Sequence, residues 1–269
     1  MTEKTLNNRK NGMVVLLLLV LVYVASVVLF IFGVSYDILP LTLISCVWFV
    51  FGWIFFLGLK VLKPQEALVL TLFGKYVGTL KNSGFYFVNP FCTAVNPAAG
   101  TKLNQSGDVK VLGAKQPSGG ADVSIDIPTK KISLKIMTLN NNRQKINDCL
   151  GNPVEIGIAV MWRVVDTAKA VFNVDNYKEY LSLQCDSALR NIVRIYPYDI
   201  APNVDTTGDG IADEGSLRGS SEVVAARIKD EIQDKVSEAG IEILEARITY
   251  LAYACLLYTS PSPRDSTSS

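Results

Sequence analysis

Between Met13 and Tyr36 the chain carries no charged residue, and Asp37 is the only one before Lys60. Two apolar runs result, MVVLLLLVLVYVASVVLFIFGV and ILPLTLISCVWFVFGWIFFLGLKVL, joined by Ser35-Tyr36-Asp37. An apolar helix of about 20 residues rises about 30 Å, the thickness of a bilayer's hydrocarbon core. Leu, Val, Ile and Phe occupy every face of both runs, whereas a core helix of a water-soluble protein keeps one polar face. On an insertion scale each such residue contributes about −0.3 to −0.6 kcal/mol at mid-bilayer, and one Arg or Asp costs about +3. The first run has no charge to offset its favourable residues. The sequence therefore predicts two transmembrane helices, at about 13–34 and 38–60. A cleaved secretory signal fits less well, because its apolar region is short and no second run follows it.

The Ser35-Tyr36-Asp37 linker is too short to hold a domain, so the helices should form a hairpin with both chain ends on one side. Pro40 falls in the first turn of the second helix, where its missing N–H costs least. Lys4, Arg9 and Lys10 precede the hairpin, Lys60 and Lys63 follow it, and the tip carries only Asp37. By the positive-inside rule both termini and everything after Leu62 should face the cytoplasm. The expected plan is a polar, mobile tail at 1–12, the hairpin at 13–62, a folded domain at 64–254 and a separate tail at 255–269.

Composition narrows the function. The chain has 269 residues and a net charge of +1, with 26 Lys and Arg against 25 Asp and Glu. That balance argues against nucleic acid as a partner. Cys46, Cys92, Cys149, Cys185 and Cys255 form no CxxC pair, which fits free thiols in a reducing compartment better than a disulfide framework or a zinc site. There is no histidine. Ser-His-Asp and Cys-His relays, HExxH zinc sites and histidine proton shuttles are thereby excluded. Carboxylate-only, Lys-based and Thr-based chemistry remain open, but Ser220-Ser221 and Lys229 have no motif around them. The expectation is a non-enzyme with no cofactor, and no catalytic, cofactor-binding or metal-binding residue is assigned.

Beyond the hairpin, Ala67 to Phe73 reads as a strand, Gly74-Lys75 as a tight turn and Tyr76 to Leu80 as the returning strand. Asn82-Ser83-Gly84 turns again, Phe85 and Phe87 alternate in a third strand, and Asn89-Pro90 closes it. These read as antiparallel hairpins at the membrane surface, where Phe85, Tyr86, Phe87 and Phe91 either pack in the core or dip into the interface. Thr93 to Ala121 has little periodicity and reads as a loop insertion, with a short strand at Val109 to Leu112. Ile132, Leu134 and Ile136 alternate with Lys131, Ser133 and Lys135, predicting one buried and one wet face. Arg143 to Cys149 is a further strand. In Val154 to Val164, the residues Val154, Ile156, Ile158, Val160, Trp162 and Val164 share a face.

Asp166 is placed to cap a short helix. A longer helix from about Asn176 to Tyr196 carries the stripe Tyr177, Leu181, Cys185, Ala188, Leu189, Ile192 and Tyr196. A third helix opens at Ser216, has the stripe Val224, Ile228, Ile232 and Val236, pairs Glu231 with Lys235 and ends at Gly240. The strand IEILEARITYLAYA follows. Between the last two helices, Asp205, Asp209, Gly210 and Asp213 match positions of a calcium loop. Thr207 and Ser216, however, stand where a carboxylate or amide ligand and the bidentate Glu belong. Losing two of about six oxygen ligands favours a solvated acidic loop.

In this order, PQEALVLTLFGKYVGTLKNSGFYFVNPF, NPVEIGIAVMWRVVDTAKAVFNVDNY, YPYD, SLRGSSEVVAARIKDEI and AGIEILEARITYLAYA resemble the stomatin/prohibitin/flotillin family of SPFH or band-7 domains. The resemblance covers about 64–254, and the two-helix anchor is similar to a bacterial branch. It implies an α+β fold class: a transmembrane helical hairpin, then an SPFH domain with a strand-rich half and a mixed helix/strand half. It further implies a membrane-anchored homo-oligomeric scaffold that organises membrane microdomains and regulates membrane proteins such as AAA-type proteases. The implied partners are the lipid bilayer, further copies of the chain and those proteases. A subunit of a membrane protease complex and a monomeric membrane adaptor are the alternative readings. Two departures stand out. About thirty residues intervene after the NPF turn, and Cys255 to Ser269, with Pro261 and Pro263, replaces the long helix of the family. That tail reads as foreign sequence after a truncation, and a chain without the long helix is expected to assemble poorly.

Overall fold

Helix α1 spans Gly12–Ser35, whose 24 residues rise about 36 Å. It ends in a Schellman turn: the Ile38 N–H donates to the Gly33 carbonyl at 3.0 Å, and Asp37 takes φ +51°. Helix α2, Leu39–Phe51, has Pro40 in its first turn and tightens into a 3-10 helix over Gly52–Gly58. The single helix expected to about residue 60 is therefore two coupled segments. The larger 3-10 rise lets their 13 and 7 residues still cover about 34 Å.

The two helices pack along one seam. The buried residues of α1 are Gly12, Leu19, Ser26 and Gly33, one heptad apart. A Cβ at Gly33 would lie 2.7 Å from Thr42 Cγ2, so glycine permits the close approach. Ser26 and Ser45 donate their hydroxyls to the Tyr23 and Leu41 carbonyls, which satisfies both polar groups within their own helices. Away from the seam, Leu17, Leu21, Ile31, Leu39 and Ile44 are exposed.

The computed structural model describes residues 2–6, 11–101, 130–141, 143–199 and 215–254. The domain is an α+β mix built on two antiparallel sheet systems. In the first, β2 (Glu66–Leu72) is flanked by β3 (Lys75–Leu80) and β5 (Thr93–Ala94), and it also pairs with β6 (Ile132–Ser133). Beside it, β1 (Leu59–Leu62) pairs with β4 (Gly84–Phe87). The expected meander from β3 into the Phe85 strand is thus corrected: β4 crosses back to the strand that leaves the second apolar helix. Tyr86 and Val88 are drawn into a small core with Leu62, Leu68, Leu70 and Leu80.

The second sheet is centred on β9 (Pro153–Val164). β10 (Ile241–Tyr253) lies along one edge, and β7 (Met137–Asn140) then β8 (Gln144–Asn147) along the other. All six predicted inward residues of β9 are buried. Helices α4 (Tyr177–Val193) and α5 (Ser221–Val236) cover that face with the stripes read from the sequence. Asp166 caps α3 (Thr167–Phe172) by accepting from the Lys169 N–H at 3.0 Å.

Several local expectations shift. The alternation from Lys131 stops at Ser133: Ile132 is buried, but Ile136 is 61% exposed and Met137 takes the inward position. The chain leaves β2 there and joins β9, so one strand cannot serve both sheets. The Arg143–Cys149 strand shortens to Gln144–Asn147. Helix α5 begins at Ser221 rather than Ser216, because Ser216 is buried and its hydroxyl accepts from the Gly219 N–H at 2.8 Å, folding a turn first. In the expected loop at 93–121, Thr93–Ala94 is strand and Pro97–Gly100 a 3-10 turn. The rest of that loop, including the strand at Val109 to Leu112, lies outside the described residues, as does the tail at 255–269.

The largest departure is the tail before α1. Residues 2–6 were expected to be mobile, yet they lie along the edge of β3. The Leu6 N–H donates to the Thr79 carbonyl and the Thr79 N–H to the Lys4 carbonyl, both at 2.9 Å. A Cβ on Gly78 would come 2.5 Å from Leu6 Cγ, so glycine makes room for that side chain. Glu3 enters a polar socket. One carboxylate oxygen pairs with Lys81 Nζ at 2.6 Å, and the other accepts from the Thr167 N–H and hydroxyl. Thr167 is buried and hydrogen-bonds Thr79 at 3.2 Å, which closes the socket.

Three outcomes are expected. Glu3→Ala removes the Lys81 ion pair and the two bonds from Thr167 and should release the segment, with Lys81 keeping only the Val165 carbonyl and the Thr167 hydroxyl only Thr79; a charged hydrogen bond contributes about 1.5–3 kcal/mol. Hydrogen exchange at the Thr79 amide should accelerate, with β9 unaffected. Gly240 has φ +67° and an added Cβ would sit 2.3 Å from the Asp166 carbonyl, so Gly240→Ala should destabilise the domain by more than about 1 kcal/mol in urea unfolding. Hydrogen bonds from Lys235, then Asn191, hold the Glu231 carboxyl below its ordinary value of 4.5. Its stabilisation is present above that ordinary value and is lost as pH falls through the lowered one. Lys235→Met with Asn191→Ala should therefore flatten the acid-side fall in the urea midpoint.

Candidate functional site

The described residues offer no assembled reaction centre. Burial, then the neighbouring Asp186, pushes the Cys185 thiol up to about 12. Burial also raises Cys92 and Cys149. None of these three thiols is activated, since a nucleophilic thiolate needs a lowered pKa. No group of three or more Cys, Asp or Glu that could hold a metal occurs among the described residues. The calcium-loop residues Asp205, Thr207, Asp209, Gly210 and Asp213 lie outside them. Ser216, the last position of that pattern, is buried with its hydroxyl engaged by Gly219. Ser221 and Lys229 line an open groove of about 540 Å³ with Glu222 and Arg247, between α5 and β10. A second groove, of about 510 Å³, lies on the β7–β9–β10 face, where the Arg143 guanidinium sits 3.6 Å over the Tyr250 ring.

What the fold does assemble is a base joining the apolar hairpin to the domain. β1 begins at Leu59, directly after the 3-10 helix ends at Gly58. The Val88 N–H donates to the Gly58 carbonyl at 2.9 Å, and a Cβ on Gly58 would come 2.4 Å from the Val88 carbonyl. A Cβ on Gly12, at the start of α1, would come 2.7 Å from the Phe85 backbone. Both helices therefore meet β4 through glycines. The paired segment at 2–6 precedes the hairpin while its partner β3 follows it, so the two flanks of the hairpin meet at one end.

The aromatics near this base divide. Tyr86 is buried and donates its hydroxyl to the Asn82 carbonyl at 3.0 Å, while Phe85 and Phe87 are half-buried. Phe91 is exposed and stacks on Phe73, with centroids 6.5 Å apart. From the sequence alone Phe73 is the end of a strand; in the structure it is the first residue of the β2–β3 turn. No sequence signal marked it, because exposure at a turn depends on the turn's hand rather than on hydrophobicity.

Two helices, Gly12–Ser35 and Leu39–Gly58, are long and apolar enough to cross a membrane, and little of either is buried within the protein. The SPFH domain / Band 7 family model matches residues 60–254. A comparison with curated proteins gave no match. The match begins at the second residue of β1 and runs past the end of β10, across both sheets and the helices that cover them, so the chain belongs to the SPFH domain / Band 7 family.

Proposed function

We propose that this chain is a membrane-anchored, self-associating, non-catalytic scaffold that organises a patch of bilayer and regulates other membrane proteins, AAA-type proteases among them. The carrying observation is the pairing of residues 4–6 with Thr79 across the apolar hairpin. Two segments that pair with each other lie on the same side of any membrane the intervening helices enter. That supports an even number of crossings, and the α1–α2 hairpin supplies two. In the sequence Lys4, Arg9 and Lys10 precede the hairpin, Lys60 and Lys63 follow it and the linker carries only Asp37, which supports a cytoplasmic domain.

The join at Gly58 supports the scaffold reading. With no spacer between helix and strand, each domain is held at one height over the lipid. Confinement to a plane raises the effective concentration of like surfaces for side-by-side contact.

The test uses two epitopes, one before Thr2 and one within 102–129, in intact cells. A non-permeant protease is expected to spare both until the membrane is opened, and carbonate is expected to leave the chain in the vesicles. Either epitope cut from outside, or extraction by carbonate, sinks the hairpin reading. Crosslinking in native membranes should trap homo-adducts of at least two copies; a single hetero-adduct would instead favour the adaptor.

A further inference from the structure

β10 is an outer strand of its sheet, and its far edge has no strand beside it among the described residues. Main-chain bonds fix which residues open onto that edge. The Val165 N–H donates to the Gly240 carbonyl, so by alternation Glu242 turns its main chain toward β9, and Ile241 and Ile243 turn theirs away. Bulges at Leu244 and Thr249 reset the alternation. Between them Glu245 and Arg247 bond to β9, and the N–H and C=O groups of Ala246 and Ile248 face outward. The Ile158 carbonyl, opposite Ile248, accepts instead from the Asn141 N–H on its other side, as this register requires.

Helix α5 runs along the open edge and treats its two halves differently. At the start of β10 the Gln233 side chain donates to the Ile241 carbonyl at 3.2 Å and accepts from the Ile243 N–H at 2.7 Å. One side-chain amide thus makes the two bonds that a neighbouring strand would make. Beyond Leu244 the edge and α5 are separated by the open groove of about 540 Å³, lined by Ala225 and Ala226 on the helix and by 244–248 on the strand. Gln233 lies against 241–243 and Ser221 against Ile248 and Thr249, so α5 and β10 run in opposite directions. Lys229 therefore stands at the Leu244 end of the groove and Glu222 at the Ile248 end. Neither forms an ion pair among the described residues.

We propose that this window takes an extended peptide segment of a partner protein as an added antiparallel strand. Strand addition draws affinity from main-chain bonds and specificity from alternate side chains. Directly opposite residues share a face of a sheet. The peptide residues that bond to Ala246 and Ile248 therefore turn their side chains into the groove. An antiparallel peptide runs from the Glu222 end to the Lys229 end. Charge complementarity selects a basic residue first, a small apolar residue two places on, over Ala225 and Ala226, and an acidic residue two places further. The stretch 245–248, at about 3.4 Å per residue, is about 14 Å long, which suits one strand. A stable dimer of this chain would bury about 800 Å² per partner, more than such a window offers. The inference goes beyond the scaffold reading and needs no bilayer.

The test titrates the full chain, in detergent micelles, into the fluorescein-labelled peptide Ser-Arg-Thr-Val-Thr-Glu-Ser and reads anisotropy. Saturable binding is expected. N-methylation of the valine amide, which faces the β10 edge, should abolish it, and N-methylation of either threonine amide, which faces away, should not. Exchanging the arginine and the glutamate of the peptide should weaken binding about tenfold. The chain carrying Glu222→Lys and Lys229→Glu should reverse that preference. Neither residue belongs to the core, so the variant keeps the fold.

No binding, binding indifferent to the valine methyl, or a preference that does not reverse overturns the proposal. A dimer in sedimentation velocity that Ala246→Pro disperses, with no peptide bound, means that a second copy fills the edge, and overturns it as well. Proline at that position removes an outward N–H and leaves the bonds to β9 in place. Each of these failures leaves the hairpin and the scaffold reading standing, because none of the readings involves the membrane.

Discussion

Everything in this molecule depends on the absence of a spacer at Gly58. A flexible linker would let an anchored domain sample every orientation over the surface. Here the helix becomes a strand within one peptide unit, and the new strand is at once paired to β4. The Val88 N–H and the Gly58 carbonyl close the junction, and the close contact of Gly58 with the Val88 backbone leaves no room for a side chain. Gly12 makes the equivalent contact with Phe85 from the other helix. Hairpin and domain thus share one packed joint, and a movement of either is transmitted to the other.

The two cores divide the mechanical load. The larger, around β9, is a regular solution: one strand buried by alternation on one face, with two amphipathic helices laid over it. Burying a large apolar side chain contributes about 1.5–3 kcal/mol, and β9 alone buries six inward residues, so most of the domain's apolar burial lies in this half. The smaller core, around Leu62, Leu68, Leu70, Leu80 and Tyr86, has much less apolar volume. It is completed from both ends of the chain order, by β1 from the hairpin and by Leu6 from the segment before it. Its integrity depends on the anchor that it positions.

Periodic features were legible in the sequence, and features set by distant main-chain pairing were not. The stripes of α4 and α5, the inward face of β9 and the Asp166 cap stand where spacing put them, because each is written in side chains at local separations. The segment at 2–6 carries no such mark. Its hold on β3 is mostly backbone hydrogen bonding, which any sequence can make, and the Glu3 socket joins residues far apart in the chain. The break at 134–136 was hidden for a related reason. Alternation reports which residues are apolar, but not which of two sheets each half of a strand will join. The turn after β2 falls at Phe73-Gly74, one residue before the Gly74-Lys75 that composition suggests, because the Leu72↔Lys75 register imposes a two-residue loop and with it the positive φ of Phe73.

The Glu3 socket adds a constraint that the helices cannot supply. A hairpin joined to the domain only at Gly58 and Gly12 could still swivel and rock relative to it. Glu3 pairs with Lys81 just after β3 and with Thr167 at the start of α3, so one carboxylate bridges the hairpin-side sheet to the helical half. Lys81 in turn donates to the Val165 carbonyl at 2.7 Å, tying the end of β9 into the same cluster. Force entering at Gly58 therefore reaches the large core by two routes, through β1 and β2 and through the segment that precedes α1. On the scaffold reading, this double connection keeps neighbouring domains in register: lateral contacts in a plane reinforce one another only when every copy presents the same face at the same tilt.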